Sequence, residues 1–465
     1  MIIGIVPMAG ATTGLLTVFV MADHFLVNPY LGIVFLVSLI AASSTGDSYT
    51  SILTGIPGSN TTAASIIDGY KMSQQGQAAR AIGIALMDST LNGIFWGLVA
   101  FALMPFYAKL ILVFGMPEFM AFMIVALACV GFITSRNFWL SVCGIGLGLW
   151  LGLIGSDPAT NAPRWTFGWE YLAAGIGLIP LISGLFGIPE IVDGFRQQNN
   201  RPAPIRDYWK QLFQGFRDCF GYWRDMFRGG AIGFFTGILP GIGGTIGDIM
   251  AYGATVARYP KEKFGNGNPR GLAGCEGANN AQKAGSLIPT VLFGIPAAPF
   301  AAVLMAICVY FGMELGSPQL LQDQSFFWAL GGAFVGATIL SFIIGIFTTR
   351  IVVRILQIPY WIYAALILTV ITWANLQYSG TWNDIYILVL CSILGLICKA
   401  YQISRPAVMV AFILVERLEK YSLQTMTLYS WGDLISRPIF MTLMIVAVGI
   451  VLYSIFRSNR GLDYH

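Results

Sequence analysis

Residues 48–65 read SYTSILTGIPGSNTTAAS, an apolar and hydroxyl-rich stretch interrupted by Gly55, Pro57 and Gly58. Proline lacks a backbone N–H and glycine permits non-helical dihedral angles, so a helix that enters this stretch is expected to end there. Within a lipid bilayer, the freed backbone groups must find partners in protein, water or a bound molecule. The stretch therefore predicts two half-helices joined by a turn, with a polar site at the junction.

The composition places this break in a membrane. The chain has 465 residues, of which 56% are hydrophobic and 10% charged, with a mean hydropathy of +0.72, whereas soluble domains have about 25% charged residues. Since a hydrocarbon core of ~30 Å needs ~20 residues, we expect an all-α polytopic membrane protein with about 11–12 membrane segments. No basic region precedes the first apolar run, so no cleaved signal peptide is expected. The uncharged segments that support this count are 28–44, 119–135, 137–155, 229–247, 287–313, 325–348, 360–377, 385–398 and 438–456.

The remaining composition argues against several classes of protein. The seven cysteines are dispersed without a CxxC spacing, and the two histidines are His24 and His465. This pattern disfavours a disulfide framework, a structural zinc site and a histidine-based metal centre. The sequence has no GxxxxGK[ST] phosphate-binding loop and no Ser/His pair for an intramembrane enzyme. The net charge of +4 is typical of positive loops that orient a membrane protein.

Residues 191–228 interrupt the apolar pattern. They contain clustered arginines, two prolines and the amphipathic stretch YWKQLF at 208–213. These features are typical of a cytoplasmic linker with an interfacial helix, and a docking site for lipid or a partner is the alternative. The sequence therefore predicts a first transmembrane repeat at 1–190, a basic cytoplasmic linker at 191–228, and a second transmembrane repeat with C-terminal helices at 229–465.

The two apolar halves resemble each other in sequence. GIVPMAGATTG at 4–14 aligns with GILPGIGGTIG at 237–247, and SILTGIP at 51–57 aligns with TVLFGIP at 290–296. The matches occur in the same order and at similar separations. We therefore expect two homologous, inverted repeats with Gly/Pro-broken helices or re-entrant hairpins, a pattern typical of the binding sites of transporters.

The half-helix that follows a break presents N–H groups and a partial positive charge, which suit a carboxylate. A proline kink that serves only packing is the alternative, and pinning of a loop is the alternative for the two asparagines. The candidate substrate-binding residues are Gly55, Pro57, Gly58, Ser59, Asn60 and Thr61 at the first break, Gly294, Pro296 and Ala297 at the second, and Asn279 and Asn280 before it.

The half-helix that precedes a break presents carbonyl oxygens, which suit a sodium ion or another cation. Asp47, Ser51 and Thr54 share one helical face before the first break, and Asn279, Lys283 and Ser286 share one before the second. A solvated position at the membrane surface is the alternative for Asp68, Glu276 and Lys283, and Arg80 is expected to pair with Asp68 or Asp88. The candidate cation-binding residues are Asp47, Ser51, Thr54, Thr245, Asp248 and Glu276.

Residues 264–296, FGNGNPRGLAGCEGANNAQKAGSLIPTVLFGIP, carry a family pattern. The family pattern FG-x-G, E-x-x-NNA, G-S-x-I-P and L-x-G-x-PG is that of the large membrane subunit of tripartite tricarboxylate transporters, which this segment resembles up to Pro296, and the likeness extends over nearly the whole chain. The family usually has Gly-Ser after the last proline, where this chain has Ala297 and Ala298. This departure suggests that Ser59 and Asn60 supply more of the polar contacts. Family members commonly have a further helix before the position of Gly4, so the resemblance implies a short N-terminus.

The resemblance implies the transport channel of a three-part importer in the bacterial inner (plasma) membrane. In such a system a periplasmic solute-binding protein delivers a di- or tricarboxylate, and a small four-helix membrane subunit accompanies the large one. The resemblance implies secondary transport coupled to a Na⁺ or H⁺ gradient, with no cofactor. A stand-alone carboxylate exporter or channel is the alternative. The sequence leaves the carboxylate, the coupling ion and dimer formation open.

Overall fold

The fold is almost wholly helical, which confirms the predicted all-α class. A computed structural model of the chain describes residues 4, 10–20, 28–111, 114–130, 138–157, 160, 162–196, 207–240 and 246–459. In chain order, the helices α1 to α19 are Gly10–Phe19, Pro29–Thr54, Ala78–Ile111, Met116–Ala128, Phe138–Gly152, Leu178–Ile182, Ile188–Arg196, Tyr208–Gly221, Trp223–Ile238, Gly247–Arg258, Pro269–Phe293, Pro299–Tyr310, Pro318–Gln322, Gln324–Ile355, Tyr360–Ser379, Asn383–Ala400, Arg405–Leu428, Trp431–Ser436 and Pro438–Asn459.

Short turns and one hairpin complete the described structure. The antiparallel strands β1 and β2 are Gly155–Ser156 and Pro163–Arg164. The turns of 3-10 or π type, which are frequent at helix ends and functional sites, are Asn60–Thr62, Ile66–Tyr70, Ser73–Gln77, Glu170–Ala174 and Ser183–Gly187.

Seven helical segments of the described residues are long and apolar enough to cross a membrane. Further apolar helices of 10–17 residues are also present, and the total of about 11–12 segments stays a prediction. The seven long segments are Pro29–Thr54, Ser73–Lys109, Leu178–Phe195, Gln324–Ile355, Tyr360–Ser379, Asn383–Ala400 and Pro438–Phe456. The shorter ones are Gly10–Phe19, Met116–Ala128, Phe138–Gly152 and Pro299–Tyr310.

The chain packs as two compact units, each of which draws on residues from both sides of the 191–228 linker. The predicted division into two repeats therefore stays a prediction about the sequence, and all the predicted site residues belong to the larger unit. The larger unit comprises Met1–Phe106, Glu190–Ile238 and Gly243–Ala374, and the smaller unit comprises Tyr107–Pro189, Leu239–Ile242 and Asn375–His465.

Glycines bring α9 and α11 of the larger unit into backbone contact. A Cβ atom on Gly233 of α9 would lie 2.5 Å from the carbonyl oxygen of Ala278, and one on Gly285 of α11 would lie 2.3 Å from that of Phe234. Small residues at such spacings allow helices to pack closely in membranes. This seam fixes α11, which carries Glu276 and Lys283.

The linker contains the amphipathic helix that the sequence predicts. On α8, Leu212 is fully buried, whereas Trp209 and Phe213 are exposed. The interfacial position of this helix stays a prediction. Arg80 of α3 pairs with Asp218 of α8 at 2.6 Å, so the expected pairing of Arg80 with Asp68 or Asp88 is wrong.

The smaller unit repeats the use of glycine at helix contacts. A Cβ atom on Gly148 of α5 would lie 2.2 Å from the carbonyl oxygen of Val408 of α17. The hairpin is fixed to α17 because Arg164 donates two hydrogen bonds to Glu419, at 2.6 and 3.0 Å. These bonds join the loop after α5 to a helix more than two hundred residues further along the chain.

Candidate functional site

The first helix break lies where the sequence predicts it. Helix α2 ends at Thr54, and Gly55 adopts a left-handed conformation (φ 71°) with its N–H bonded to the Ser51 carbonyl oxygen at 3.2 Å. This conformation favours glycine. The Thr54 hydroxyl accepts the N–H of Ile56 at 3.2 Å, so Thr54 satisfies backbone groups at the break.

The loop after the break folds back onto α2. The N–H of Gly58 donates to Ser51 Oγ at 3.0 Å, and Ser51 Oγ donates to Thr62 Oγ1 at 2.8 Å. Ser51 therefore stabilises the loop. Asn60 begins the 3-10 turn Asn60–Thr62, and its side chain lies outside the described side chains.

Asp47 lies at the centre of the buried polar cluster. Its Oδ2 accepts the hydroxyl of Ser59 at 2.8 Å and lies 3.1 Å from the ammonium Nζ of Lys283. Lys283 also donates to Ser43 Oγ at 2.8 Å. The side chains of Asp47 and Lys283 are 0% and 1% exposed, so two opposite charges are paired away from solvent.

A polar face of α11 meets α2 and the loop after the break. Asn279 and Asn280 hold side chains of both elements, while Glu276 accepts a hydroxyl of α2. Direct ligation of a substrate by the two asparagines stays a prediction. The hydrogen bonds are Ser44 Oγ to Asn280 Oδ1 (2.7 Å), Ser48 Oγ to Glu276 Oε2 (2.8 Å), Thr61 Oγ1 to Asn279 Oδ1 (3.0 Å) and Asn279 Nδ2 to Ser48 Oγ (3.1 Å).

The alternative of a solvated surface position is wrong for Asp68, Glu276 and Lys283. All three residues are at most 1% exposed. Asp68 accepts the backbone N–H groups of Gly267 and Asn268 at 2.9 and 2.8 Å, immediately before α11. Its negative charge at the helix N-terminus stabilises α11.

Asp248 links the first turn of α10 to the segment that follows the break. Its Oδ2 accepts the backbone N–H of Ala64 at 2.8 Å, and its side chain is buried. This bond occupies one carboxylate oxygen, and cation binding by Asp248 stays a prediction. Thr245, the other predicted cation ligand in this region, lies outside the described residues.

The second break has the same shape and a different lining. Helix α11 ends at Phe293, and Gly294 adopts a left-handed conformation (φ 62°) with its N–H bonded to the Thr290 carbonyl oxygen at 3.1 Å. Pro296 and Ala297 are buried in an apolar turn before α12. The side-chain hydrogen bonds of the polar cluster, given above, join α2 and the first break to α11, and none of them involves Gly294, Pro296 or Ala297.

Several buried polar atoms of this region have no hydrogen-bond partner among the described residues. Because more than nine in ten buried polar groups are normally paired, such atoms indicate a place for a proton, an ion or another ligand. No group of three His, Cys, Asp or Glu residues in the described ranges has the arrangement of a metal site. The unpaired atoms are Asp47 Oδ1, Asp248 Oδ1, Glu276 Oε1, and both Gln282 Oε1 and Nε2.

Lys283 is the main site residue that the set of predicted ligands omits. It lies seven residues after Glu276 and four after Asn279, which places all three on one face of α11. The sequence signal for Lys283 is its helical phase: it shares a face with predicted ligands in a chain that has few charged residues. Ser43 and Ser44 were likewise missed, although hydroxyl residues continue from them to Ser48 and Ser51.

The helices and the buried charged cluster define a multi-pass membrane protein with a polar site at a broken helix. Residues 1–410 match the sequence profile of the tripartite tricarboxylate transporter TctA family. The chain belongs to this family, as the resemblance of residues 264–296 predicts. It is therefore a membrane subunit of the tripartite tricarboxylate transporter type.

Two relatives come from Agrobacterium vitis. The "Uncharacterized 52.8 kDa protein in TAR-I ttuC' 3'region" is 27% identical over 469 residues, which cover 99% of this chain and 92% of the relative. The "Uncharacterized protein in TAR-II ttuC' 3'region" is 27% identical over 236 residues, which cover 49% of this chain and 97% of the relative. No solved structure matches this chain.

Proposed function

We propose that this chain is the large transmembrane subunit of a binding-protein-dependent secondary importer for di- and tricarboxylates. A periplasmic solute-binding protein delivers the substrate, a small four-helix membrane subunit completes the complex, and a Na⁺ or H⁺ gradient across the bacterial inner membrane drives uptake. Membership of the tripartite family supports this assembly. The chain acts in transport and carries out no chemical conversion.

The observation that carries the proposal is the buried ammonium of Lys283 at the broken helix. Ionisable groups inside a membrane are costly and are usually functional. Lys283 contacts Ser43 and Asp47, and the polar cluster continues through the Ser59 hydroxyl on Asp47 and the Asn279 amide on α11. A positive charge surrounded by such groups suits the carboxylates of an organic acid.

The polar part of the proposed substrate site lies at the first break. Ser59 and Thr61 bring hydroxyls, Asn279 brings an amide, and Gly55, Pro57 and Gly58 shape the loop that holds them. The turn at Gly294, Pro296 and Ala297 supplies apolar walls and backbone N–H groups. This division agrees with the apolar burial of Ala297 and Ala298.

The test is uptake of labelled di- and tricarboxylates into proteoliposomes that contain this subunit and the small subunit, with the binding protein outside. We expect accumulation that requires the binding protein and either a Na⁺ or an H⁺ gradient. The double variant Ser59→Ala/Asn60→Ala should reduce uptake at least ~10-fold, since each lost hydrogen bond costs about 1 kcal/mol or more. Thr369→Ala, an exposed threonine bonded to its own helix at 2.8 Å, is the control and should leave uptake unchanged.

Two results would contradict the proposal. Downhill carboxylate flux that depends neither on a Na⁺ or H⁺ gradient nor on the binding protein would identify a stand-alone exporter or channel. Full uptake by Ser59→Ala/Asn60→Ala would move the polar substrate contacts away from the first break.

A further inference from the structure

The Asp47–Lys283 pair joins α2 to α11, and the loop after the break contacts this pair through Ser59. Its Nζ–Oδ2 separation is 3.1 Å, and both side chains are almost completely buried. Removing one partner from such a pair leaves an uncompensated buried charge, which is strongly unfavourable. Any ligand that separates the two charges must therefore neutralise both.

Both members of the pair retain unused bonding capacity. Lys283 has three N–H donors, of which two are used by Ser43 and Asp47 in the described structure. Asp47 Oδ1 has no hydrogen-bond partner among the described residues, while Oδ2 accepts Ser59 and Lys283. The ammonium thus keeps one N–H donor for an anion, and the carboxylate keeps one oxygen for a cation.

The neighbouring charged groups do not replace either partner. Glu276, on the same face of α11, accepts Ser48 and keeps one unpaired oxygen. Asp248 of α10 accepts the Ala64 N–H, and Asp88 of α3 accepts the amide of Asn92 at 3.1 Å. All three are acidic, so Lys283 is the positive charge that balances Asp47.

We infer that Asp47 and Lys283 are an exchangeable internal ion pair that couples substrate to cation. A substrate carboxylate binds the Lys283 ammonium, and a monovalent cation, Na⁺ or H⁺, takes its place on Asp47. At the pair, one carboxylate and one monovalent cation enter together, so the net charge of the pair does not change. Each further carboxylate of the substrate needs a proton or a cation of its own. Either ligand alone leaves one charge unbalanced, so the site takes both or neither. This inference rests on the proposed carboxylate function of the same site.

The first measurement uses the unaltered complex with its small subunit in detergent. Binding of a labelled dicarboxylate is titrated at several Na⁺ concentrations at fixed pH, and at several pH values without Na⁺. Exchange predicts that one of these cations raises substrate affinity at least ~10-fold and that substrate raises the cation's affinity by the same factor. Substrate binding that is independent of both cations would overturn the inference, and the two arms identify the cation.

The second measurement compares Asp47→Asn, Lys283→Met and the double variant. Lys283→Met should weaken substrate binding roughly 30-fold or more, because a buried charged contact is lost. Asp47→Asn leaves the ammonium free for substrate. This variant should therefore bind the substrate without a cation, and its substrate affinity should change less than ~2-fold when the cation is added. The double variant should fold, because no buried charge is left unpaired, but it should bind the substrate weakly. Lys261→Met, at an exposed loop position, is the control for loss of one positive charge.

A fixed structural salt bridge gives a different pattern. Its two single variants would be impaired alike, and the double variant would recover cation-coupled uptake; that pattern would overturn the inference. Each variant is first checked for monodisperse elution and thermal unfolding, and the titration of the unaltered complex does not depend on their folding. If both the wild type and Asp47→Asn show cation-coupled uptake, the ion-pair exchange is wrong and the proposed transport function still holds. Absence of carboxylate uptake by wild type would reject the proposed function itself.

Discussion

Gly58 lies directly against the backbone of Asp47. A Cβ atom on Gly58 would come within 2.3 Å of the Asp47 carbonyl oxygen and 2.4 Å of its Cα. The loop after the break is therefore pressed onto the helix at the residue that also binds Lys283. Glycine is required here by space alone, whereas at Gly55 both the left-handed backbone and the nearby ring of Tyr70 require it.

Gly58→Ala should disrupt the site because the new methyl group meets backbone atoms that cannot rotate away. We expect a lower unfolding temperature and at least ~10-fold weaker carboxylate binding, consistent with overpacking costs of about 1–3 kcal/mol. Thermal unfolding in detergent and binding titrations measure both effects. Gly253→Ala is the control, because a Cβ atom there meets no other atom within 4 Å. Equal behaviour of the two variants would contradict the close contact.

Asp68→Ala should destabilise the start of α11. It removes the acceptor of the Gly267 and Asn268 N–H groups and of the Tyr252 hydroxyl, which lies 3.0 Å from Asp68 Oδ2. Hydrogen bonds to charged groups contribute about 1.5–3 kcal/mol each. Asp68→Ala should therefore lower the free energy of unfolding more than Asp68→Asn, which keeps one acceptor oxygen. Hydrogen exchange of the first turn of α11 measures the effect. The control Asp207→Asn, at an exposed helix start, should not alter that exchange.

Gly285→Ala should weaken the seam between α9 and α11. The added methyl group would lie 2.3 Å from the Phe234 carbonyl oxygen, so the helices must separate. We expect a loss of about 1–3 kcal/mol in the free energy of unfolding. Gly336→Ala on α14 has no atom within 4 Å of its new Cβ and is the matched control. Similar unfolding temperatures for both variants would rule out close backbone packing at Gly285.

Asp323 provides a pH-dependent helix cap. Its Oδ1 accepts the N–H groups of Ser325 and Phe326 at 3.0 and 3.3 Å at the start of α14. Hydrogen bonds from the Ser325 hydroxyl and then from these N–H groups hold the pKa of Asp323 below its ordinary value. Because the folded-state pKa is the lower one, the stabilisation is complete above about pH 4 and is lost as pH falls through the folded-state pKa.

Asp323→Ala should therefore lower stability by about 1 kcal/mol at neutral pH. Unfolding temperatures measured across a pH series should show the wild-type advantage shrinking in acid. Gln324→Ala, at the adjacent exposed position, should show no such convergence. A wild-type advantage that stays constant down to the lowest pH would exclude a carboxylate cap.

Local chemistry made the breaks predictable. Glycine and proline occur close together at 55–58 and 294–296, and this combination disfavours a continuous helix, so the sequence specifies both turns without knowledge of their partners. The phase of Asp47 and Ser51 along α2 was equally readable, because helical spacing is a property of the segment alone. Their buried positions agree with that phase.

The partners were harder to predict because they are distant in the chain. Asp47 and Lys283 are 236 positions apart, and Arg80 and Asp218 are 138 apart. Periodicity tells which residues share a face and does not tell which faces meet. The expected pairing of Arg80 is wrong because its partner Asp218 lies on a helix of the linker, and the periodicity of the membrane segments gives no information about that helix. The hydroxyls of Ser43 and Ser44 could not be assigned to the site from the sequence, because their partners Lys283 and Asn280 lie on α11.

The long separation of Asp47 from Lys283 also has a consequence for biosynthesis. The ribosome adds about 5–20 residues per second, so α2 is made roughly 10–50 s before its partner helix across those 236 positions. During that interval the newly made chain holds an aspartate whose counter-charge has not yet been translated. Placing such a group at the middle of a lipid bilayer costs about 2.5–3.5 kcal/mol on insertion scales. We therefore expect α2 to reach its final place late, after the lysine has emerged, and to depend on the insertion machinery until then.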